Sequence, residues 1–193
     1  MSETGGNVSV RMVRDDFADV PQHELPAGYR FRTYEAGDDR TWTDLHLAAE
    51  PYVDVTPDLF VREFGTDHAP LSDRMFFVET LEGEPAGSIT AWWERDRHNP
   101  RERGRIHWVV VHPDHQRRGL AKPMMTHAMQ RLAQSHPGAV LGTSTGRTWA
   151  LKVYLDFGFH PDPDELASSP GVAAGWRGVQ SRLNHPLLAS HLR

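Results

Sequence analysis

One stretch, Ile106 to Gln134, constrains this chain more than any other. It runs from an apolar strand (Ile106-His107-Trp108-Val109-Val110-Val111) through a short polar turn (His112-Pro113-Asp114-His115) into a basic, glycine-bearing loop, Gln116 to Ala121. Met124, Ala128 and Leu132 then follow Leu120 every four residues, with Met125, Met129 and Ala133 beside them, which predicts an amphipathic helix. A strand that feeds a basic glycine turn into a helix N-terminus suits an anion. The first amides of a helix lack partners, and the helix dipole adds positive charge there. Gly119 admits a close backbone approach, and Arg117, Arg118 and Lys122 add charge around it. Pro123 falls in the first helical turn, where a missing N–H costs little.

Neither GxxxxGK[ST] nor GxGxxG occurs, so the loop is not a common nucleotide-binding one. Gln116-Arg117-Arg118-Gly119-Leu120-Ala121 instead resembles the Q/R-x-x-G-x-G/A signature of the GNAT acyltransferase superfamily. A second block strengthens the likeness. Ala150, Tyr154, Gly158 and Phe159 match the Ala-x-x-x-Tyr-x-x-x-Gly-Phe spacing of that family's late helix. Arg147 departs from the pattern, since many relatives carry Asn there. The resemblance covers about residues 29–159 and is sharp from Ile106 onward.

The chain in order gives β-α-α-β-β-β-α-β-α with one added C-terminal helix. Residues 1–27 read as an N-terminal arm with a short strand at Val8 to Val13, and Tyr29 to Tyr34 as the first strand of the domain. A helix follows from Asp39 to about Glu50, then a short one from Asp58 to Phe64, either a lid over a cleft or core filling. Met75–Leu81 and Pro85–Trp93 flank Glu82-Gly83-Glu84, a hairpin signal. Glu94 to Gly104 reads as an exposed loop or as an extension of the strand hairpin. Ala139–Ser144 is a strand, Thr145 a cap, and the helix after it ends at Gly158 with Trp149, Val153 and Phe157 on one face. Pro163 to Ala173 reads as loop and Trp176 to Leu183 as the last helix. The expected organisation is an arm (1–27), an acetyltransferase-like domain (28–162), and a C-terminal loop and helix (163–193) packed on it. The fold class is α/β: a mixed, mostly antiparallel sheet with helices on both faces. The resemblance adds a splayed parallel pair of central strands.

Composition excludes several functions. The chain has 193 residues, a net charge of −5 and no cysteine. Without cysteine there is no disulfide, no thiolate zinc site and no thioester intermediate on the protein. Acidic residues gather before Phe64 and basic ones between Arg95 and Arg118, so no broadly basic face is presented to nucleic acid. No apolar run reaches the roughly 20 residues of a membrane span, and the N-terminus lacks a basic-then-apolar signal, so a cytoplasmic protein is expected. His107, His112 and His115 mix strand and loop, and their spacing does not converge on a metal. A monomer and a homodimer are both compatible with the sequence.

The resemblance implies acetyl-CoA as co-substrate and an amine of a small molecule or peptide as acceptor. The CoA pyrophosphate is expected on Gln116, Arg117, Arg118, Gly119, Leu120 and Ala121, and the pantetheine arm along the main chain of Val109, Val110 and Val111, with Arg147 near the acyl carrier. Tyr154 matches the family's tyrosine and is the candidate acid for the departing thiol. For the base, strand alternation places His107 with Val109 and Val111, and its titration near neutrality suits the task; Glu79 and Glu94 are alternatives acting through water. A non-catalytic acyl-CoA-binding module is the competing reading, and thiol release from acetyl-CoA separates the two.

Overall fold

A computed structural model describes residues 7–95 and 102–192. Seven strands form one sheet: β1 (Ser9–Arg14), β2 (Tyr29–Thr33), β3 (Met75–Thr80), β4 (Pro85–Arg95), β5 (Glu102–Val111), β6 (Ala139–Ser144) and β7 (His160–Pro161). Their spatial order is β2-β3-β4-β5-β6-β1-β7. All neighbours are antiparallel except β5 and β6, which run parallel. Part of the expected arm is therefore built into the sheet. Ser9–Arg14 pairs along its whole length with β6, from Ser9 opposite Ser144 to Arg14 opposite Ala139, and with β7 on its other edge. Between Glu94 and Gly104 the hairpin is extended, because β4 continues to Arg95 and β5 begins at Glu102; the middle, 96–101, lies outside the described residues.

Helices cover both faces, so the inner strands are apolar on both sides. On one face α3 (Ala121–Ala133), α4 (Thr148–Asp156) and α6 (Pro170–Leu183) bury Met124, Met129, Leu151, Leu155 and Trp176 against Val10, Met12, Ile89, Ile106 and Leu141. On the other, α1 (Asp38–Ala49) and α2 (Leu59–Phe64) bury Trp42, Leu45, Leu59, Phe60 and Phe64 against Met75, Phe77 and Val110. The start of α1 is fixed by Asp38, whose carboxylate accepts the Glu35 N–H (2.7 Å) and the Arg32 fork.

Pro163 to Ala173 is helical rather than loop. α5 (Pro163–Ser168), α6 and α7 (Pro186–His191) each begin with proline. Asp162 accepts the Asp164 N–H (2.9 Å), Ser169 that of Val172 (3.4 Å) and His185 Nδ1 that of Leu187 (3.2 Å). A proline preceded by a capping residue opens a helix, because the N–H it lacks is one that has no intrahelical partner there. Thr145 is not the cap of α4, a position that falls to Arg147; its hydroxyl accepts the Val8 N–H (2.9 Å) and ties β1 to the end of β6.

Candidate active site

The loop between β5 and α3 is shaped for an anion. Arg117 (φ 59°) and Gly119 (φ 83°) are left-handed, while Leu120, the residue capping α3, is right-handed. Backbone of alternating hand turns successive amides toward one side, forming a concave nest. No side chain caps α3, so its first amides remain available to a ligand. Arg117 and Arg118 are exposed beside the nest. The Gln116 carboxamide turns back instead and donates to the Val111 carbonyl (3.1 Å), closing the end of β5.

β5 and β6 separate directly upstream of this loop. They pair only at Gly104–Ala139 and Arg105–Val140, and beyond Arg105 they diverge. The His112 N–H bonds to the Ala86 carbonyl on the β4 side (2.9 Å). Alternation then turns the main-chain groups of Val109 and Val111 into the gap. Val110 points its main chain toward β4, opposite Ser88, and its side chain under α1 and α2.

The expected placement of His107 beside Val109 and Val111 is overturned. Thr90 faces His107 and Ser88 faces Val110, so Ile89 spans both Trp108 and Val109. Trp108 is the bulged residue, with φ 47°. A bulge inserts one residue and resets which side faces which layer. His107 consequently shares a face with Trp108 and Val110, edge-on to Phe64 (5.6 Å between ring centroids), while Val109 and Val111 join the opposite cluster. A non-glycine residue held left-handed costs about 1–3 kcal/mol, and such strain collects at functional sites.

A cleft of about 510 Å³ opens through this gap, with Tyr154, Arg147, His107, Trp108, Glu63 and Glu50 among its walls. His107, 6% exposed, lies 2.9 Å through Nε2 from a Glu63 carboxylate oxygen. The His107 hydrogen bond holds Glu63 down to about 2, against the opposing effect of burial. Glu63 is thus a pure acceptor near neutrality, so Nε2 carries the proton and Nδ1 the lone pair. Burial lowers the His107 pKa, with Glu63 opposing in part, and the imidazole is neutral at pH 7. Burial pushes the Tyr154 phenol up to about 12, which keeps it protonated.

Arg147 meets protein within the same cleft. Its guanidinium grips Glu50 through both oxygens (2.8 and 2.5 Å) and lies over the Tyr52 ring at 4.7 Å. Burial alone would raise the Glu50 pKa; the Arg147 fork and the Tyr52 and Val53 amides outweigh it and hold the carboxyl below its ordinary range.

The alternative bases stand elsewhere. Glu79 is clamped by Arg30 and Arg32 on β2 (2.8 Å each) and lines no part of the cleft. Glu94 is bound by Arg11 (2.5 Å) and lines the neighbouring cavity rather than the cleft itself. Trp149, expected on the same helix face as Val153 and Phe157, is 84% exposed, whereas Phe157 is buried. Sequence reasoning missed Glu63 and Glu50. Glu63 follows the buried Leu59 by four positions and so shares its inward side, a signal the helical spacing carried. α2 is therefore both core filling, through Leu59, Phe60 and Phe64, and a wall of the cleft, through Glu63.

Comparison with known proteins agrees with this architecture. Residues 40–159, more than half of the chain, match the family model described as Acetyltransferase (GNAT) family, and the chain belongs to that family. Its fold is similar to a GCN5-related N-acetyltransferase from Sphaerobacter thermophilus (TM-score 0.62, 20% identity, 83% of this chain and 51% of that one). It is also similar to a GNAT-family acetyltransferase from Colwellia psychrerythraea (TM-score 0.61, 13% identity, 80% and 52%). A third likeness is to the diaminobutyrate acetyltransferase from Paenibacillus lautus, in complex with its substrate L-2,4-diaminobutyric acid and coenzyme A (TM-score 0.53, 21% identity, 67% and 74%). The chain spans about half the length of the first two. Among curated proteins none matches. Family membership supports acyl transfer as the general chemistry, with acetyl-CoA the typical donor. Among the described residues, no helix is long and apolar enough to cross a membrane, and no group of three His, Asp or Glu side chains could hold a metal ion.

Proposed function

We propose that this chain transfers the acetyl group of acetyl-CoA to a primary amine of a small molecule or peptide, by direct attack within a ternary complex. The observation that carries this reading is that Tyr154 and the His107–Glu63 pair line one cleft, beside the strand that leads into the anion nest. The nest fits the CoA pyrophosphate, and the main chain of Val109 and Val111 fits the pantetheine amides as an added strand would. The acceptor arrives as an ammonium, which for a lysine-like amine ordinarily titrates near pH ~10.4, and must lose a proton before attack. The neutral His107 takes it at Nδ1, while Glu63 fixes the tautomer and stabilises the imidazolium. The amine nitrogen bonds to the acyl carbon, and the oxygen charge that develops meets amides freed from the ladder at the Trp108 bulge. The C–S bond breaks and Tyr154 protonates the departing sulfur.

The pH profile tests the base. Only neutral His107 accepts a proton, so kcat/KM falls as pH drops through its pKa; burial lowers that pKa, and the acidic limb is expected below the ordinary histidine range. His107→Gln is expected to slow the reaction by about 10²-fold or more and to erase that limb. A limb that survives the substitution sinks the assignment. Absence of thiol release with every amine, in protein that binds acetyl-CoA, identifies a binding module instead.

A further inference from the structure

A second cavity, of about 760 Å³, lies beyond the cleft against β1, β7 and α5. The two share Ser9, Arg105 and Gly142, and the space beside Gly142 is open. Arg105 stands at the junction. It lies two residues before His107, on the regular part of β5 ahead of the bulge and on the same face of the strand, about 7 Å away along it.

Two other arginines of these walls are held closely by carboxylates. Arg11 binds Glu94 (2.5 Å) and Asp162 (3.1 Å), and Arg147 binds Glu50. Arg105 differs: its Nε is buried without a hydrogen-bond partner, and its ion pair to Glu94 spans 3.7 Å, beyond hydrogen-bond reach. Its guanidinium makes no hydrogen bond to a described residue. A guanidinium is a planar fork that matches a carboxylate through two parallel bonds, so an unfilled one in a cleft wall selects for an anion. Glu94 is already bound by Arg11, which weakens both its repulsion of an incoming carboxylate and its demand for a second cation.

Building on the acetyl-transfer reading above, we propose that the acceptor carries a carboxylate set apart from its reacting nitrogen by a carbon chain, as in an ω-amino acid or the side-chain amine of a free amino acid. Arg105 holds the carboxylate while Glu63 draws the ammonium toward His107. Arg105 is in this role a specificity-determining residue.

The test compares glycine, β-alanine and longer ω-amino acids with matched alkylamines and diamines, by thiol release from acetyl-CoA. At the best-fitting length the amino acid is expected to exceed its alkylamine in kcat/KM by roughly 10- to 100-fold, mostly through KM. Arg105→Gln is expected to bring that ratio close to one, and Arg105→Lys to recover part of it. Preference for diamines or alkylamines, or a ratio that Arg105→Gln leaves unchanged, overturns the proposal. If no amine turns over, the acetyl-transfer reading fails, and calorimetric titration of the same acceptors into CoA-saturated protein still reads Arg105. Carboxylate-dependent binding that is lost in Arg105→Gln supports the site, and its absence from the unsubstituted protein overturns it.

Discussion

Gly119→Glu is expected to lower the affinity for CoA at least about 10³-fold while leaving the chain folded. The position combines two requirements. Its φ of 83° is one that L side chains rarely adopt, so any side chain there carries strain of roughly 1–2 kcal/mol. The nearest atom to a built Cβ is the Pro26 ring at 3.7 Å, an ordinary contact, so no core is disturbed. Strain of that size lowers Tm by about 2–8 °C in a chain of this length. The carboxylate, in contrast, sits over the amides proposed to meet the pyrophosphate, and it adds repulsion to lost contacts. Gly119→Ala separates the two causes: it carries the strain without the charge and is expected to lose far less affinity. Titration calorimetry, with circular dichroism as the control for folding, decides the matter. Unchanged CoA affinity in folded Gly119→Glu removes the loop from the cofactor site.

The parts of this molecule legible in its sequence are those specified over short range. The Val-rich strand, the glycine turn and the helix of Met124, Ala128 and Leu132 lie within thirty residues, and the structure forms β5 and α3 there. Ala139–Ser144 is readable because Pro137-Gly138 precedes it and its apolar residues are compact. The position of β1 is not readable. Val8 to Val13 alternates as a strand should, yet its place between β6 and β7 depends on pairing with residues some 130 positions later, which no local pattern encodes. The C-terminal helices escape a reading that treats proline as a breaker, because Asp162-Pro163 and Ser169-Pro170 are opening signals.

The candidate site is legible to the same depth. The family resemblance points to Tyr154 and the central strand to His107, but neither reveals the partner that defines His107. Two features hide it. The bulge at Trp108 involves no glycine or other local mark, so period-two alternation gives His107 the wrong neighbours. Glu63 then reaches it from a short helix more than forty residues earlier, across the sheet face, and only packing brings the two together.

Tyr154→Phe is expected to lower kcat by roughly 10²-fold or more, with acetyl-CoA affinity nearly intact. The ring is a packing element in its own right: it meets Phe159 edge-on at 6.4 Å and belongs to the cluster beneath α4, so phenylalanine keeps the fold. Only the hydroxyl is lost, and with it the proton that Tyr154 is proposed to give the departing thiolate. The direction of the phenol's shift sharpens the test. Because burial holds Tyr154 up at about 12, the acid keeps its proton across the neutral and mildly alkaline range. No alkaline loss of activity should trace to this residue until pH nears that value. A second measurement isolates the chemical step. Thioesters whose thiols are more acidic need less help from a proton donor, so the penalty of Tyr154→Phe should shrink as the leaving thiol's pKa falls. A uniform penalty across such donors places Tyr154 among the residues that shape the cleft. A normal kcat, where chemistry limits turnover, removes it from the mechanism altogether and transfers protonation of the sulfur to solvent.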